Sequence, residues 1–349
     1  MPTPAEQSIW NLIRETRSKR PGRAAAEPKR AAVYGAALQQ FEELMGAASS
    51  SGYAARPLPL FYAVSQAGRA IAAAWADQPW VLSGHGLKYE PGKTPLVSSV
   101  RPEPGPADSF STVASAAGQG TLSAPVELGA LWASLTDLYQ QDLPQERWHR
   151  PLLVLPRDED FAGPDIGNWL RAQVTVEHAR FPDSPLFDYD NGNDPRFLET
   201  FATELAHFPT AEGWVPWRPQ NLCLDRLEGL AWEVEIAWPT PSAEVAVRQA
   251  VLLEHVHEYR TRDVWWLRPS LNAAGDYLLP LMTWWALLYG LSMLARYHPA
   301  DWMRALQVDK QSETVPLEAA LNTALVAVPH YVLDTLLGMP VLIHSLRPI

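Results

Sequence analysis

Three side chains capable of gripping an anion occur twice in this chain, at the same spacing. Tyr62, Ser65 and Arg69 recur 227 positions later as Tyr289, Ser292 and Arg296, and Trp75 is echoed by Trp302. Steps of three and then four residues place a phenol, a hydroxyl and a guanidinium within roughly 60° of one another on a helix. A guanidinium flanked by hydroxyls suits a phosphate or carboxylate, because its N–H fork matches two oxygens at once. The same group on a helix built of Ala, Gly, Leu and Met could instead bond a helix end or a carboxylate of the opposite half, a purely structural use. Both readings stay open for Tyr62, Ser65, Arg69, Tyr289, Ser292 and Arg296.

Two histidines lie close to these stripes in sequence. His85 stands between Gly84 and Gly86, in a turn that either merely needs positive φ or serves to expose the imidazole. His298 follows Arg296 and Tyr297 and precedes Pro299, where a cation would meet the negative end of a helix. Other patterns are weaker. Arg248 and His255 have catalytic-looking spacing but fall in 246–259, which alternates like a strand. His255 and His257 would share one strand face without a third metal ligand. Asp188, Asp190 and Glu199 have partial calcium-loop spacing with Gly192 misplaced, so an ordinary acidic loop is expected. No metal site and no cofactor are expected. Trp265, Trp266, Trp284 and Trp285 read as core residues, since little positive charge accompanies them.

The positioning elements follow from periodicity. Residues 1–30 contain a short helical piece at 10–14 and a basic stretch from 17 to 30, expected as a mobile arm. Apolar residues at three and four spacing predict a helix from 31 that ends by 46–52, then a second over 58–76, started by Pro57 and Pro59. Together with the His85 loop these make an N-terminal helical half, 31–90. The middle, 91–270, mixes Pro/Ser-rich turns with strands at 96–100, 110–113, 151–155, 173–181, 229–238 and 246–259, and helices at 125–138, 161–170 and 196–208. The C-terminal half, 271–349, is helical over 277–299, 317–328 and 329–337, with Pro299 and Pro329 as breaks.

The segments FYAVSQAGRAI, SGHGL, PVELGALW and LLYGLSMLARYHPADW together resemble the YaaC-like family of bacterial proteins, over about 31–328. Tyr62, the Ala-rich helix and the His-Gly turn also resemble HEPN-type helical domains. That resemblance implies an α+β, mainly α fold: a pseudo-symmetric HEPN-like unit formed by the N- and C-terminal segments, with a β-containing insertion between them. HEPN-type ribonucleases use an Arg followed four to six residues later by a His, and work without metal. His85 has no basic residue at that distance before it.

Composition limits the remainder. The 349 residues carry a net charge of −11 and only 19% charged side chains, which disfavours a broad nucleic-acid surface. A single cysteine, Cys223, excludes an internal disulfide and fits a cytoplasmic protein; no signal peptide is visible. The uncharged run 277–295 reaches the length of a membrane span, but its Pro, Gly and Ser content and its echo in 58–75 predict a buried soluble helix. The expected function is therefore a non-catalytic or degenerate HEPN-like protein binding a partner or an anionic ligand such as a nucleotide or RNA, in regulation or defence. The alternative is a metal-independent endoribonuclease using Arg69, His85, Arg296 and His298.

Overall fold

The computed structural model describes residues 4–145, 147–155, 167–177, 185, 194–217, 223–227, 231–258, 265–339 and 341. It is a mixed α+β fold, mainly helical, with helices at both ends of the chain and two antiparallel sheets between them. Two compact units separate: residues 1–144 with 276–349, and residues 145–275. Residues 91–144, grouped with the middle region on sequence, thus belong to the helical unit.

In the helical unit, α1 (Pro4–Ser18), α2 (Pro28–Ser50) and α3 (Pro57–Trp75) are followed by β1 (Leu87–Glu90), β2 (Ser99–Pro102), α4 (Ser109–Ala116), β3 (Val126–Glu127) and α5 (Leu128–Ala133). After the second unit come α8 (Pro280–Tyr297), α9 (Pro299–Ala305) and α10 (Thr314–Leu337). Helix α3 is the hub: it packs on α2, α4, α8 and α10. Its small residues make this possible, because Ala70, Ala72, Ala73 and Ala74 are all fully buried where neighbours approach from several sides. Every residue of α8 from Pro280 to Leu294 is buried, which accounts for the uncharged run by packing within the unit. Among the described residues one helix, α10, is long and apolar enough to cross a membrane, and it too is largely buried.

The second unit holds β4 (Leu152–Leu155), β5 (Trp169–Glu177), α6 (Pro195–Leu205), β6 (Val215–Pro216), β7 (Cys223–Leu227), β8 (Ala231–Pro239), α7 (Val245–His255), β9 (His257–Glu258) and β10 (Trp265–Leu267). Its strands run in the order β6-β8-β5-β4-β10-β9, with β7 also on β8. The spine is the nine-residue antiparallel pairing of β5 with β8, from Trp169 opposite Pro239 to Glu177 opposite Ala231. Val174, Val176, Val234 and Ile236 join Phe197 and Phe201 of α6 and Leu252 of α7 in one core.

Several sequence expectations need correction. The stretch 246–259, expected as a strand, is largely the helix α7; its buried residues Arg248 and Leu252 are four apart, a helical interval that apolar alternation obscured. The strand expected at 110–113 is α4, started by Asp108, whose carboxylate accepts from the Ser111 N–H at 2.7 Å. Pro329 does not break α10: it costs one backbone bond, and the buried run from Ala327 to Leu333 holds the helix together around it. The helix expected at 125–138 is divided into β3, α5 and a short turn at Thr136–Leu138. The strand expected at 173–181 begins earlier, at Trp169, within the stretch expected as a helix over 161–170; residues 161–166 lie outside the described residues.

The expected arm, 1–30, contains α1 and a 3-10 turn at Gly22–Ala25, and it ends in the most deeply buried arginine of the unit. Arg30 donates to the carbonyls of Ala72, Ala73, Ala76 and Asp77, the last two at 2.8 and 2.7 Å, and to Glu27 at 2.9 Å. These are carbonyls at and just beyond the end of α3, where the helix runs out of its own donors; that of Ala72 also accepts from the Ala76 N–H. Arg30→Met should therefore lower unfolding free energy by about 3 kcal/mol in urea titrations, because buried carbonyls lose a charged donor. Arg69→Met, at a half-buried position, should cost under about 1 kcal/mol.

Candidate functional site

Helices α3 and α8 lie antiparallel: Gly68 meets Trp285, Phe61 meets Tyr289, and Tyr62 meets Arg296. Gly68 is the closest point, since a Cβ there would sit 2.3 Å from the Trp285 ring. This crossing brings the first turns of α3 beside the last turns of α8. A shallow niche forms there, lined by Leu58, Phe61, Tyr62, His85, Ser292 and Arg296. Its volume is about 10 Å³, room for one water or one phosphoryl oxygen, so a larger ligand would sit over it.

The Arg296 Nη1 donates to the Tyr62 hydroxyl at 3.2 Å, and its guanidinium lies over the Tyr297 ring at 5.0 Å. Arg296 is exposed, and no carboxylate pairs with it among the described residues. Ser292 donates to the Tyr289 carbonyl at 2.8 Å, and the Tyr289 hydroxyl donates to the Leu87 carbonyl of β1 at 2.7 Å. That buried tyrosine is pushed up to about 12, chiefly by desolvation, and stays a neutral donor.

His85 is held by its backbone. Gly84 accepts from the Ser109 N–H and hydroxyl, His85 accepts from the Phe110 N–H, and Gly86 accepts from the Glu103 N–H. Gly84 and Gly86 both have positive φ, at 75° and 79°. Gly86 has no alternative, since a Cβ there would lie 1.9 Å from an Asp108 carboxylate oxygen. The imidazole edge packs on Phe61 and Tyr289, with centroids 5.6 Å away in each case. Partial burial, then the neighbouring Arg296 charge, lower its pKa below the ordinary 6.5. At neutral pH the site holds one permanent cation and one neutral imidazole.

Of the second polar stripe Ser292 and Arg296 line the niche, while Tyr289 is buried behind it against Phe61 and His85; the first contributes only Tyr62. Ser65 and Arg69 are half-buried on α3 outside the niche, and neither has a hydrogen-bond partner among the described residues. The proposed twins also differ in burial: Tyr62 is 41% exposed and Tyr289 is 4% exposed. Trp75 ends α3 partly exposed, whereas Trp302 lies on α9, buried, donating to the Ala54 carbonyl at 3.0 Å. His298 sits between α8 and α9, its ring 5.8 Å from Tyr89 and outside the niche. The sequence reading did not single out Phe61, whose ring contacts both His85 and Tyr289; nor did it single out Asp108, although the Asp-x-x-Ser start of α4 signals it.

A match to the YaaC-like protein family spans residues 5–336. The chain belongs to the YaaC-like family. No curated protein and no solved structure matches this YaaC-like chain. The remaining sequence candidates belong to the other unit, and two of them have structural partners. Arg248 donates to the Gly167 carbonyl, and His255 stacks on Trp238 at 4.5 Å with Nδ1 2.9 Å from the Thr210 carbonyl. His257 stands in β9, Glu199 is on α6, and Asp188 and Asp190 lie outside the described residues. Among the described residues no three His, Cys, Asp or Glu side chains gather as a metal site.

Because the folded pKa of His85 lies below its unfolded value, its contribution to stability is fully present above the unfolded pKa and is lost as pH falls from there through the lower folded pKa. Proton NMR should place the His85 midpoint below 6.5. In Arg296→Gln the midpoint should move upward but not reach 6.5, since desolvation, the larger cause, remains.

Proposed function

We propose that this YaaC-like protein binds a phosphate-bearing ligand, a nucleotide or an RNA terminus, over the niche formed by Tyr62, His85, Ser292 and Arg296. One observation carries the reading. The Arg296 guanidinium is brought by the fold beside a phenol and a neutral imidazole from the other end of the chain, and among the described residues no carboxylate neutralises it. An arginine kept for structure normally meets an acceptor, as Arg30 does. The overall charge of −11 supports a small anionic group over a long polyanion. The helical unit is read as a HEPN-like pair whose two halves have diverged, with a regulatory or defence role in the cytoplasm.

A ribonuclease reading draws on His85, whose neutral state suits a general base for a 2′-hydroxyl while Arg296 would stabilise the phosphorane. It needs Arg69 and His298 as well, and both lie outside the niche. The binding reading is therefore preferred, with catalysis degenerate.

Fluorescence anisotropy with a 5′-phosphorylated oligoribonucleotide tests this. Arg296→Gln should weaken binding by roughly 10- to 100-fold, the loss expected for charge-assisted hydrogen bonds. Arg69→Gln should change it less than about twofold. Equal affinities for wild type and Arg296→Gln would refute the site. Cleavage of the oligonucleotide in EDTA, abolished by His85→Ala, would establish the ribonuclease reading instead.

A further inference from the structure

Across β1 from the niche, the helical unit contains a second and larger recess of about 130 Å³. Tyr89, Lys93, His298, Asp301, Arg304 and Gln311 line it. We propose that this recess binds a phosphorylated sugar, either free or as the ribose phosphate of a nucleotide, independently of the niche.

The walls are built rather than incidental. The turn carrying Lys93 is pinned from beneath by Glu313, a buried carboxylate that accepts from the Thr94 hydroxyl at 2.5 Å and from the Leu96 N–H at 3.0 Å. Ser98 ties the same turn together: its hydroxyl donates to the Thr94 carbonyl and accepts from the Gly92 N–H and the Tyr89 hydroxyl, all at 3.0 Å. Gly92 is obligatory there, because a Cβ would fall 2.5 Å from the Val97 carbonyl. The opposite wall is fixed by Trp302, fully buried on α9 one residue after Asp301. A rigid cleft loses little entropy on filling.

Its polar groups divide into two kinds. Lys93 and Arg304 supply two permanent cations. Lys93 has no partner among the described residues, and Arg304 spends one nitrogen on Asp301 at 3.0 Å. Two cations within one small recess of a protein with net charge −11 favour a phosphoryl group. Asp301 and Gln311 add acceptors suited to the several hydroxyls of a sugar, which outnumber the one or two P–OH groups of inorganic phosphate. The volume lies below the roughly 300 Å³ at which drug-sized pockets begin, which fits a phosphate with one attached ring.

Isothermal titration of the full chain with ribose 5-phosphate, AMP and inorganic phosphate decides the matter. Ribose 5-phosphate and AMP should bind saturably, and inorganic phosphate at least about 10-fold more weakly. The double variant Lys93→Gln/Arg304→Gln should reduce sugar-phosphate affinity by 10-fold or more. Asp301→Asn should narrow the preference for ribose 5-phosphate over phosphate, and in an Arg296→Gln background, where binding at the niche is removed, saturable binding of ribose 5-phosphate at the recess should remain. All these positions but Lys93 lie on helices and are exposed, so circular dichroism and melting temperature should stay at wild-type values. Absence of saturable binding to wild type, or binding that survives the double variant, would overturn the proposal. Loss of binding in Arg296→Gln alone would assign the ligand to the niche.

Discussion

Closest approach between α3 and α8 is set by one interlock, the Trp285 ring lying where a side chain on Gly68 would be. A second of the same kind lies on the other flank of α8, where Leu128 of α5 occupies the space a Cβ on Gly290 would need. In a close-packed interior such contacts tolerate no extra methyl group, so they fix where the helices cross and how each is rotated. With the helices antiparallel at that point, Tyr62 near the start of α3 must fall beside Arg296 near the end of α8. The polar cluster is thus a consequence of apolar fit six residues away on α3 and eleven away on α8.

Around this crossing, buried charges act as fasteners. Arg30 closes the end of α3, Glu313 anchors the turn before β2, and Asp108 both starts α4 and leaves room for Gly86 alone beneath the His85 loop. Each bonds two or more polar groups, which is how a buried charge avoids a net cost. Arg296 differs in kind, since among the described residues its one hydrogen-bond partner is a phenol oxygen. Burial first, and the adjacent Arg296 charge second, depress protonation of His85.

Much of this was legible in sequence, for particular reasons. The helical spacing in 58–75 and 277–299 is strong because long buried helices carry many apolar positions, and of the recurring Tyr, Ser and Arg only Tyr62, Ser292 and Arg296 line the niche. Arg69 was misleading because equal spacing on two helices does not give equal surroundings. An antiparallel pair related by a two-fold would also put Arg69 against Tyr289, yet Tyr289 bonds Leu87 of β1 instead. The role of Arg30 was hidden in a basic, Pro-rich stretch whose composition suggests solvent, and only tertiary contact with the end of α3 reveals it. Residues 245–255 were misjudged since eleven residues with alternating apolar character satisfy both periods, and packing of Leu252 against the sheet chose the helix.

The most direct measurement follows the guanidinium Nε–H resonances of Arg296 and Arg69 by nitrogen-15 NMR while a 5′-phosphorylated oligoribonucleotide is added. The account expects the Arg296 resonance to shift saturably, with the same midpoint as the His85 ring protons, while that of Arg69 stays fixed. A shift confined to Arg69, or an Arg296 resonance indifferent to saturating ligand, would contradict it.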